Sequence, residues 1–251
     1  MIDILELNKK FGKLAVLKNV NLSFKKGECV ALIGPNGCGK TTLIKSILGM
    51  VIPDSGQLMF DGTSIQSDFL YRNRIGYMPQ IGRYPENMSV GRIIETIKEL
   101  RSHKGQLDET LIEQFKINDI LDKRMRTLSG GTTQKVSACL AFLFNPDVLI
   151  LDEPTAGLDP LASEILKEKI LVEKAKGKLV LITSHLLSEL DDLISEIVFM
   201  QEGQIKFHQS VESLLKNTGE TKISKAIASV LKLGYGSFNK GSKEVKAIEN
   251  V

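Results

Sequence analysis

Two stretches near the start of the chain alternate apolar and polar side chains. They cover residues 2–8 and 20–24, and Gly12 and the Lys25-Lys26-Gly27 run interrupt the pattern. Because successive side chains of a strand point to opposite faces, a period of two is typical of a half-buried strand. The pattern therefore predicts that short antiparallel strands open the chain.

A different pattern begins at Cys29, where the residues up to Ile33 are all apolar and Gly34 follows. A short continuous apolar run suits a parallel strand that is buried on both faces. From Thr42 to Gly49 the apolar residues take helical spacing, and a glycine closes the segment. The order of strand, glycine loop and helix is the one that a phosphate site requires.

The remaining segments predict a lobe of helices inserted into an α/β core. Residues 86–127 contain few strand formers and show helical spacing at Val90–Leu100 and Glu109–Phe115, with a polar break at Ser102–Gln106. The rest of the pattern predicts strands at Val148–Leu151, Lys178–Thr183 and Glu196–Met200. It predicts helices near Leu161–Lys174 and from Leu187 to about Ser195, and one or two amphipathic helices past Ser210. The polar stretch at Gly234–Val251 is expected to be disordered.

This layout predicts two parts. An α/β domain would span residues 1–215, with an antiparallel β subdomain and a helical lobe inserted at about 86–140. A helical, partly disordered tail would span residues 216–251. A chain of 251 residues is long enough for one large α/β domain, or for one domain with a small lobe.

Composition and charge are those of an ordinary globular protein. Apolar residues make up 42% of the chain and charged residues 25%. The formal charge of +3 comes from the end of the chain, because Lys outnumbers Glu from Gly203 onward. Three widely spaced cysteines offer no disulfide framework or zinc site and fit a reducing cytosol. The start does not resemble a secretion signal, and no run approaches the ~20 apolar residues that span a bilayer. We therefore expect a chain of the cytosol, for which any membrane role would have to come through a partner.

The segment from Gly34 to Thr41 fits the phosphate-loop pattern G-x-x-x-x-G-K-[ST]. Its glycines allow backbone N–H groups to turn toward anionic oxygens at a helix N-terminus. Lys40 adds a positive charge at the β and γ phosphates, and the Thr41 hydroxyl can bind Mg²⁺. The sequence thus predicts a nucleotide site made by Gly34, Pro35, Asn36, Gly37, Cys38, Gly39, Lys40, Thr41 and Thr42.

The apolar strand at residues 148–151 ends in two acids, Asp152 and Glu153. The carboxyl ends of buried parallel strands meet at the edge where α/β proteins bind ligands. Asp152 would then bind Mg²⁺, directly or through water, and Glu153 would act as general base on the attacking water. The chain has no N-K-x-D segment for guanine, which favours an adenine nucleotide.

The Leu128-Ser129-Gly130-Gly131 sequence, at the start of a helix shortly before the acidic strand, resembles the signature of the ABC ATPases. The resemblance covers about residues 2–215 and implies a P-loop NTPase core of mixed sheet with helices. It implies that Ser129, Gly130 and Gly131 complete the ATP site of a second subunit. The resemblance further implies that Phe11 stacks on adenine and that Gln80 contacts Mg²⁺ and senses the nucleotide. It implies that Asp159 lies at the site in the D-loop, and that His185, the switch histidine, hydrogen-bonds the γ-phosphate.

The resemblance also implies partners and a place in the cell. In the family two ATPase domains pair head to tail around two ATP molecules, so we expect a homodimer or heterodimer that hydrolyses ATP and powers separate transmembrane permease subunits. No nucleic-acid partner is expected, and the chain would sit on the cytoplasmic face of the membrane through the permease. Within the family the chain is similar to the ATPases of ABC-2-type export systems, and Tyr77–Pro85 is similar to the ATPase of the copper-linked system that matures nitrous-oxide reductase.

Two alternatives remain open beside the transport function. One is a soluble ABC-type ATPase that acts on nucleic acid or ribosomes, and the other is a regulatory module that binds ATP without turnover. Glu153 and His185 together argue against the second. One residue departs from the family pattern, because Thr132 stands where the family commonly has Gln, and its shorter side chain is expected to lose a polar contact with the nucleotide.

Overall fold

The computed structural model describes residues 1–66, 68–101, 105–184 and 191–233. Within these ranges the chain forms ten strands and seven α-helices, together with short 3-10 helices at Leu70–Arg74, Ile117–Ile120 and Met125–Thr127. The strands are β1 Ile2–Phe11, β2 Leu14–Phe24, β3 Cys29–Ile33, β4 Ser55–Phe60, β5 Thr63–Ser64, β6 Ile75–Met78, β7 Val148–Asp152, β8 Leu179–Thr183, β9 Glu196–Gln201 and β10 Gln204–Ser210. The helices are α1 Lys40–Ile47, α2 Val90–Arg101, α3 Thr110–Gln114, α4 Gly130–Phe142, α5 Pro160–Ala175, α6 Val211–Thr218 and α7 Ile223–Leu233.

The first sheet contains four strands in the order β2-β1-β4-β5, each antiparallel to its neighbours. The alternation at the start of the chain is visible in β1, where Ile2, Ile4 and Leu7 are buried while Leu5 and Glu6 are exposed. The predicted opening strands are therefore confirmed, although both are longer than predicted. Strands β4 and β5, which the pattern did not predict, complete the sheet.

The second sheet contains six strands in the order β10-β9-β3-β8-β7-β6. Neighbouring strands from β9 to β6 are parallel, and β10 runs antiparallel to β9 at one edge. Every residue of β3, β7 and β8 is buried, because two apolar clusters cover the opposite faces of the sheet. The buried strands predicted from apolar runs are confirmed, and β8 lies between β3 and β7, so the carboxyl ends of all three meet at one edge.

The predicted helices before residue 184 are confirmed by α1, α2, α3 and α5. Arg101, at the end of α2, donates hydrogen bonds to the carbonyls of Asn73 and Ile75 at 3.5 and 3.1 Å. These bonds attach the helical region to the beginning of β6. The division of residues 86–140 into a lobe of its own stays a prediction.

The last described helices, α6 and α7, pack against the core. The predicted boundary at residue 215 falls inside α6, and the apolar face of α7 joins the larger core cluster through Ile223, Ala226, Ile227 and Val230. Burial of this amphipathic face holds α7 in place, and the division of the chain at residue 215 stays a prediction. Residues 187–190 of the helix predicted from Leu187 to about Ser195 lie outside the described residues, and the described residues 191–195 form turns where a helix was predicted. The polar stretch Gly234–Val251 lies wholly outside the described residues. Among the described residues, no helix has the length and apolar character needed to cross a membrane.

A network of buried charges joins α5 to the segment before α3. The ammonium of Lys169, whose side chain is 5% exposed, binds the carboxylates of Asp108 and Glu173. Glu173 is fully buried and also binds Lys176 and Lys178. Burial would raise the pKa of the Glu173 carboxyl, but hydrogen bonds from the three lysines outweigh it and the pKa lies below its usual value. Each buried charge is thus compensated, as burial requires.

Replacement of Lys169 by Met should destabilise the fold, because it leaves two carboxylates short of a cation in a buried site. We expect the free energy of unfolding to fall by about 3 kcal/mol, measured by urea titration. Lys167→Met is the matched control, since Lys167 lies on the same helix and pairs at 2.9 Å with the exposed Glu164. Its cost should stay below about 0.5 kcal/mol. Equal costs for the two variants would contradict the prediction.

Candidate nucleotide site

The loop between β3 and α1 carries the predicted phosphate-binding residues. Its shape depends on glycines, since Gly37 has a φ of 77° and Gly39 a φ of 112°, in the left-handed region. A Cβ on Gly39 would also lie 2.8 Å from the Val16 carbonyl oxygen of β2. The loop is therefore pressed against the β1–β2 hairpin, and a side chain at position 39 would push the two apart.

Lys40 begins α1 and folds back over this loop. Its Nζ donates to the carbonyl of Gly34 at 2.7 Å and to that of Pro35 at 3.2 Å. The ammonium is thus held on the side of the loop where the first N–H groups of α1 are directed, and Thr41 and Thr42 follow in the first turn. A helix N-terminus with an adjacent cation is a binding site for phosphate groups.

Cys38 contributes to the loop through its backbone. Its side chain is 4% exposed and packs in the core cluster beneath α1. Its N–H donates to the Pro35 carbonyl at 3.2 Å, and its carbonyl accepts from Gly203 at 3.0 Å. The thiol therefore fills space behind the loop, and the predicted nucleotide contact of Cys38 can only come from main-chain atoms.

Asp152 and Glu153 leave β7 beside the end of β8. Thr183, paired in register with Asp152, donates its hydroxyl hydrogen to the Asp152 carboxylate. The same hydroxyl accepts the N–H of Glu153 at 3.2 Å, and the Thr183 carbonyl lies 3.1 Å from that N–H. Thr183 thus fixes both acids at once. No local pattern in the sequence indicates this role of Thr183, because the role depends on strand register.

Glu153 itself has an unusual backbone. Its φ of 53° lies in the left-handed region, and only 6% of the residue is exposed to solvent. Gln134 on α4, which is also buried, donates from Nε2 to the Glu153 carbonyl at 3.4 Å. The main chain of the predicted general base is therefore held from two sides, by β8 and by α4.

Ser129, the first predicted signature residue, is the N-cap of α4. Its hydroxyl accepts the backbone N–H of Thr132 at 3.2 Å, and Ser129 and Gly130 are exposed. A Cβ on Gly131 would lie 2.6 Å from the Gly157 carbonyl oxygen, so only glycine allows α4 to approach the segment after Glu153 this closely. The exposed N-terminus of α4 directs free N–H groups outward, as an anion site requires.

Asp159, the predicted D-loop residue, caps α5. It accepts the N–H of Ala162 at 2.9 Å and binds the ammonium of Lys135 at 2.6 Å. The hydrogen bond from Lys135 and that from Ala162 hold the pKa of the Asp159 carboxyl below its usual value. Lys135 lies on α4, so a further bond ties the signature helix to the segment after the acidic strand. Sequence reasoning missed both Lys135 and Gln134, whose partners are distant along the chain.

Two other predicted residues, Phe11 and Gln80, lie on exposed parts of the chain. Phe11 ends β1 on the hairpin that touches the phosphate loop, and its ring is 51% exposed with the Lys9 ammonium 5.3 Å from the ring centroid. Gln80 is exposed two residues after β6. His185 lies outside the described residues.

The residues predicted to hold Mg²⁺ form a suitable donor set. Thr41, Asp152 and Gln80 offer a hydroxyl, a carboxylate and an amide carbonyl, which are the oxygen ligands that Mg²⁺ takes. The described residues contain no group of three or more His, Cys, Asp or Glu side chains that could hold a metal. Mg²⁺ in proteins is usually held by one or two carboxylates together with phosphate oxygens and water, and the oxygen chemistry of these three side chains agrees with that preference.

Comparison with known proteins gives consistent matches. The family described as "ABC transporter" matches residues 17–156. The chain is 34% identical over 208 residues to the "Nod factor export ATP-binding protein I" of Burkholderia orbicola (strain AU 1054), covering 81% of this chain and 68% of that protein. It is also 34% identical over 208 residues to the "Lantibiotic transport ATP-binding protein SrtF" of Streptococcus pyogenes, covering 82% and 89%.

The fold has a similar match among solved structures. A structure described as "ATP binding subunit of ABC transporter" superposes with a TM-score of 0.84 at 27% identity, over 91% of this chain and 98% of the other. The predicted α/β fold with a P-loop NTPase core is therefore confirmed. The likeness of residues 77–85 to a copper-linked system stays a prediction.

Replacement of Thr183 by Val should lower turnover, because the Asp152 carboxylate and the Glu153 N–H both lose the hydroxyl that orients them. We expect the kcat for ATP hydrolysis to fall by about 10–100-fold, the usual effect of removing such a supporting group. Thr183→Ser retains the hydroxyl and is the control, with kcat within about 3-fold of wild type on the same grounds. Equal turnover in the Val variant and the wild type would contradict the prediction.

Proposed function

The chain belongs to the ABC transporter family, and we propose that it forms a head-to-tail dimer that binds two ATP molecules and powers a separate membrane permease. As a member of this family it is the ATP-binding and ATP-hydrolysing subunit of a transport system. The observation that carries the proposal is the shared sheet edge, where the phosphate loop and the two acids leave strands on either side of β8. The two named relatives are transport subunits, which favours this function over an ATPase that acts on nucleic acid or ribosomes.

The phosphate loop and α1 bind the ATP phosphates in this proposal. Lys40 exchanges its carbonyl contacts with Gly34 and Pro35 for phosphate oxygens, a charge-assisted interaction that is stronger than the one it replaces. Thr41, Asp152 and Gln80 would hold Mg²⁺, and the ion would supply positive charge that stabilises the phosphates. Phe11 stacks on the adenine ring.

Glu153 accepts a proton from the water that attacks the γ-phosphate. A general base must be held within hydrogen-bond reach of the proton that it takes. The Glu153 main chain donates a hydrogen bond to Thr183 and accepts one from Gln134, and these two bonds restrict where the carboxylate can lie. His185 assists by bonding the γ-phosphate. Asp152 would help to hold Mg²⁺ beside the phosphates.

The signature residues act on the ATP of the other subunit. Ser129 and Gly130 are exposed at the start of a capped helix, where partial positive charge favours an anion. Because each subunit supplies a phosphate loop to one site and a signature to the other, one chain alone makes two half sites. Asp159 lies beside the signature and takes part in the same interface.

An apolar surface near the beginning of β6 is suited to the permease. Tyr71 donates to the Ile47 carbonyl at 2.9 Å and Arg72 to the Gly49 carbonyl at 3.3 Å, which holds a 3-10 helix against the end of α1. The Arg101 bonds bring the end of α2 to the same place. Five large apolar residues of these segments (the chain after α1, the 3-10 helix and the end of α2) are each 60–78% exposed. We term them the apolar surface: Met50, Ile52, Phe69, Leu70 and Leu100.

We place the chain on the cytoplasmic side of the membrane in an export system. The relative from Burkholderia is named for export of a Nod factor and that from Streptococcus for transport of a lantibiotic. The chain would export its substrate through the permease, and the permease would select that substrate.

Glu153→Gln tests the catalytic part of the proposal. The amide keeps the shape of the side chain but cannot accept a proton, so ATP hydrolysis should fall by about 100-fold or more while ATP binding is retained. ATP should then convert the variant to a dimer on size-exclusion chromatography. Glu164→Gln, at an exposed position on α5, is the control and should behave as wild type. Hydrolysis by Glu153→Gln at the wild-type rate would exclude Glu153 as the base.

The double variant Ile52→Glu, Phe69→Glu tests the apolar surface. Two carboxylates placed in a buried apolar contact lack partners, so the chain should be lost from the membrane fraction of cells that contain its permease, by about 10-fold or more. ATP binding by the purified chain should be unchanged. Leu5→Glu, on β1 and 41% exposed, is the control for an apolar residue elsewhere. Equal membrane recovery of the double variant and wild type would exclude this surface.

A further inference from the structure

The residue that departs from the family pattern, Thr132, touches the signature serine. Its Oγ1 lies 2.9 Å from the Ser129 hydroxyl, and its backbone N–H donates to that hydroxyl at 3.2 Å. Thr132 is the third residue of α4 and is half-buried, whereas Ser129 is exposed. Two groups of one residue thus converge on a single oxygen.

The hydrogen atoms of this contact can be counted. A serine hydroxyl has one hydrogen to donate and two positions that accept. The Thr132 N–H occupies one accepting position, because a backbone N–H can only donate. If the Thr132 hydroxyl also donates, both accepting positions of Ser129 are filled and its own hydrogen is left to point outward. If Ser129 donates to Thr132 instead, the Ser129 hydroxyl has no hydrogen left to donate to a ligand.

An anion in front of α4 selects between these two arrangements. A phosphate oxygen only accepts, so it binds the arrangement in which the Ser129 hydrogen points outward. Hydrogen bonds in a chain polarise one another, and a hydroxyl that accepts two becomes a better donor.

We propose that Thr132 is a positioning residue that directs the Ser129 hydroxyl hydrogen toward the γ-phosphate of the ATP bound to the second subunit. The inference rests on the proposed composite site. It also gives Thr132, which stands where the family commonly has Gln, a defined role in the site. A Gln at this third helical position would reach back to the backbone N–H of the N-cap residue, whereas Thr132 acts on the N-cap hydroxyl itself.

Thr132→Val tests the proposal, since it removes the hydroxyl and leaves the backbone N–H and the branched shape. In the Glu153→Gln background, the ATP concentration for half-maximal dimerisation should rise by about 5-fold, the effect of one weakened hydrogen bond. ATP binding to the monomer should not change, because the phosphate loop of the same chain is untouched. A purely structural role of Thr132 would change both measurements or the melting temperature.

Three further variants sharpen the test. Thr132→Ser keeps the hydroxyl and should restore dimerisation to within about 2-fold of the parent protein. Thr133→Val removes a hydroxyl from the next position of α4 and should have no effect. In a Ser129→Ala background, Thr132→Val should add no further loss, because its only route to the phosphate is gone.

The outcomes separate this inference from the function on which it rests. Normal dimerisation of the Thr132→Val protein, or a loss that persists in the Ser129→Ala background, would overturn the role of Thr132 and leave the composite site standing. Failure of the parent Glu153→Gln protein to dimerise with ATP would overturn both.

Discussion

The hydroxyl of Thr183 is the contact on which the geometry of the site depends. It donates to Asp152 and accepts from the Glu153 N–H, so it ties the end of β7 to the end of β8. β8 is in turn paired with β3, whose last residue leads into the phosphate loop. A displacement of β8 would therefore move the phosphate loop and both acids relative to each other. Parallel pairing sets this arrangement, because it brings all three carboxyl ends to the same edge.

A second set of contacts joins the signature helix to the acids. Gln134 binds the Glu153 carbonyl, Lys135 binds Asp159, and Gly131 packs on the Gly157 carbonyl. All three come from the first two turns of α4. In the proposed dimer, the surface of α4 that faces the second ATP would therefore be joined by these contacts to the proposed general base at the first ATP. Such a connection lets occupancy of one site bias the other, provided that the joined segments move together.

Much of the fold and the motif residues could be predicted from the sequence, because they depend on local pattern. The apolar run of β3 and the glycines after it specify a buried strand and a phosphate loop over a few residues. Thr183 and Lys135 could not be predicted, since their partners lie 31 and 24 residues away and depend on strand register and helix packing. β4, β5, β6 and β10 were also missed, and the short segments of β4 and β6 lack the clear periodicity of β1. The boundary at residue 215 stays a prediction, because the sequence alone does not show what the apolar face of α7 packs against.

The backbone of Glu153 shows how this packing serves chemistry. Seven non-glycine residues of the described chain have positive φ, and Glu153 is the buried one among them. The left-handed conformation costs a residue with a Cβ about 1–3 kcal/mol, which glycine would avoid. An exposed turn can relax, but Glu153 is held by hydrogen bonds to Thr183 and from Gln134. Glycine would relieve the strain and remove the carboxylate that the proposed reaction needs. The strained conformation is therefore the consequence of placing a carboxylate where the chain turns away from the sheet edge.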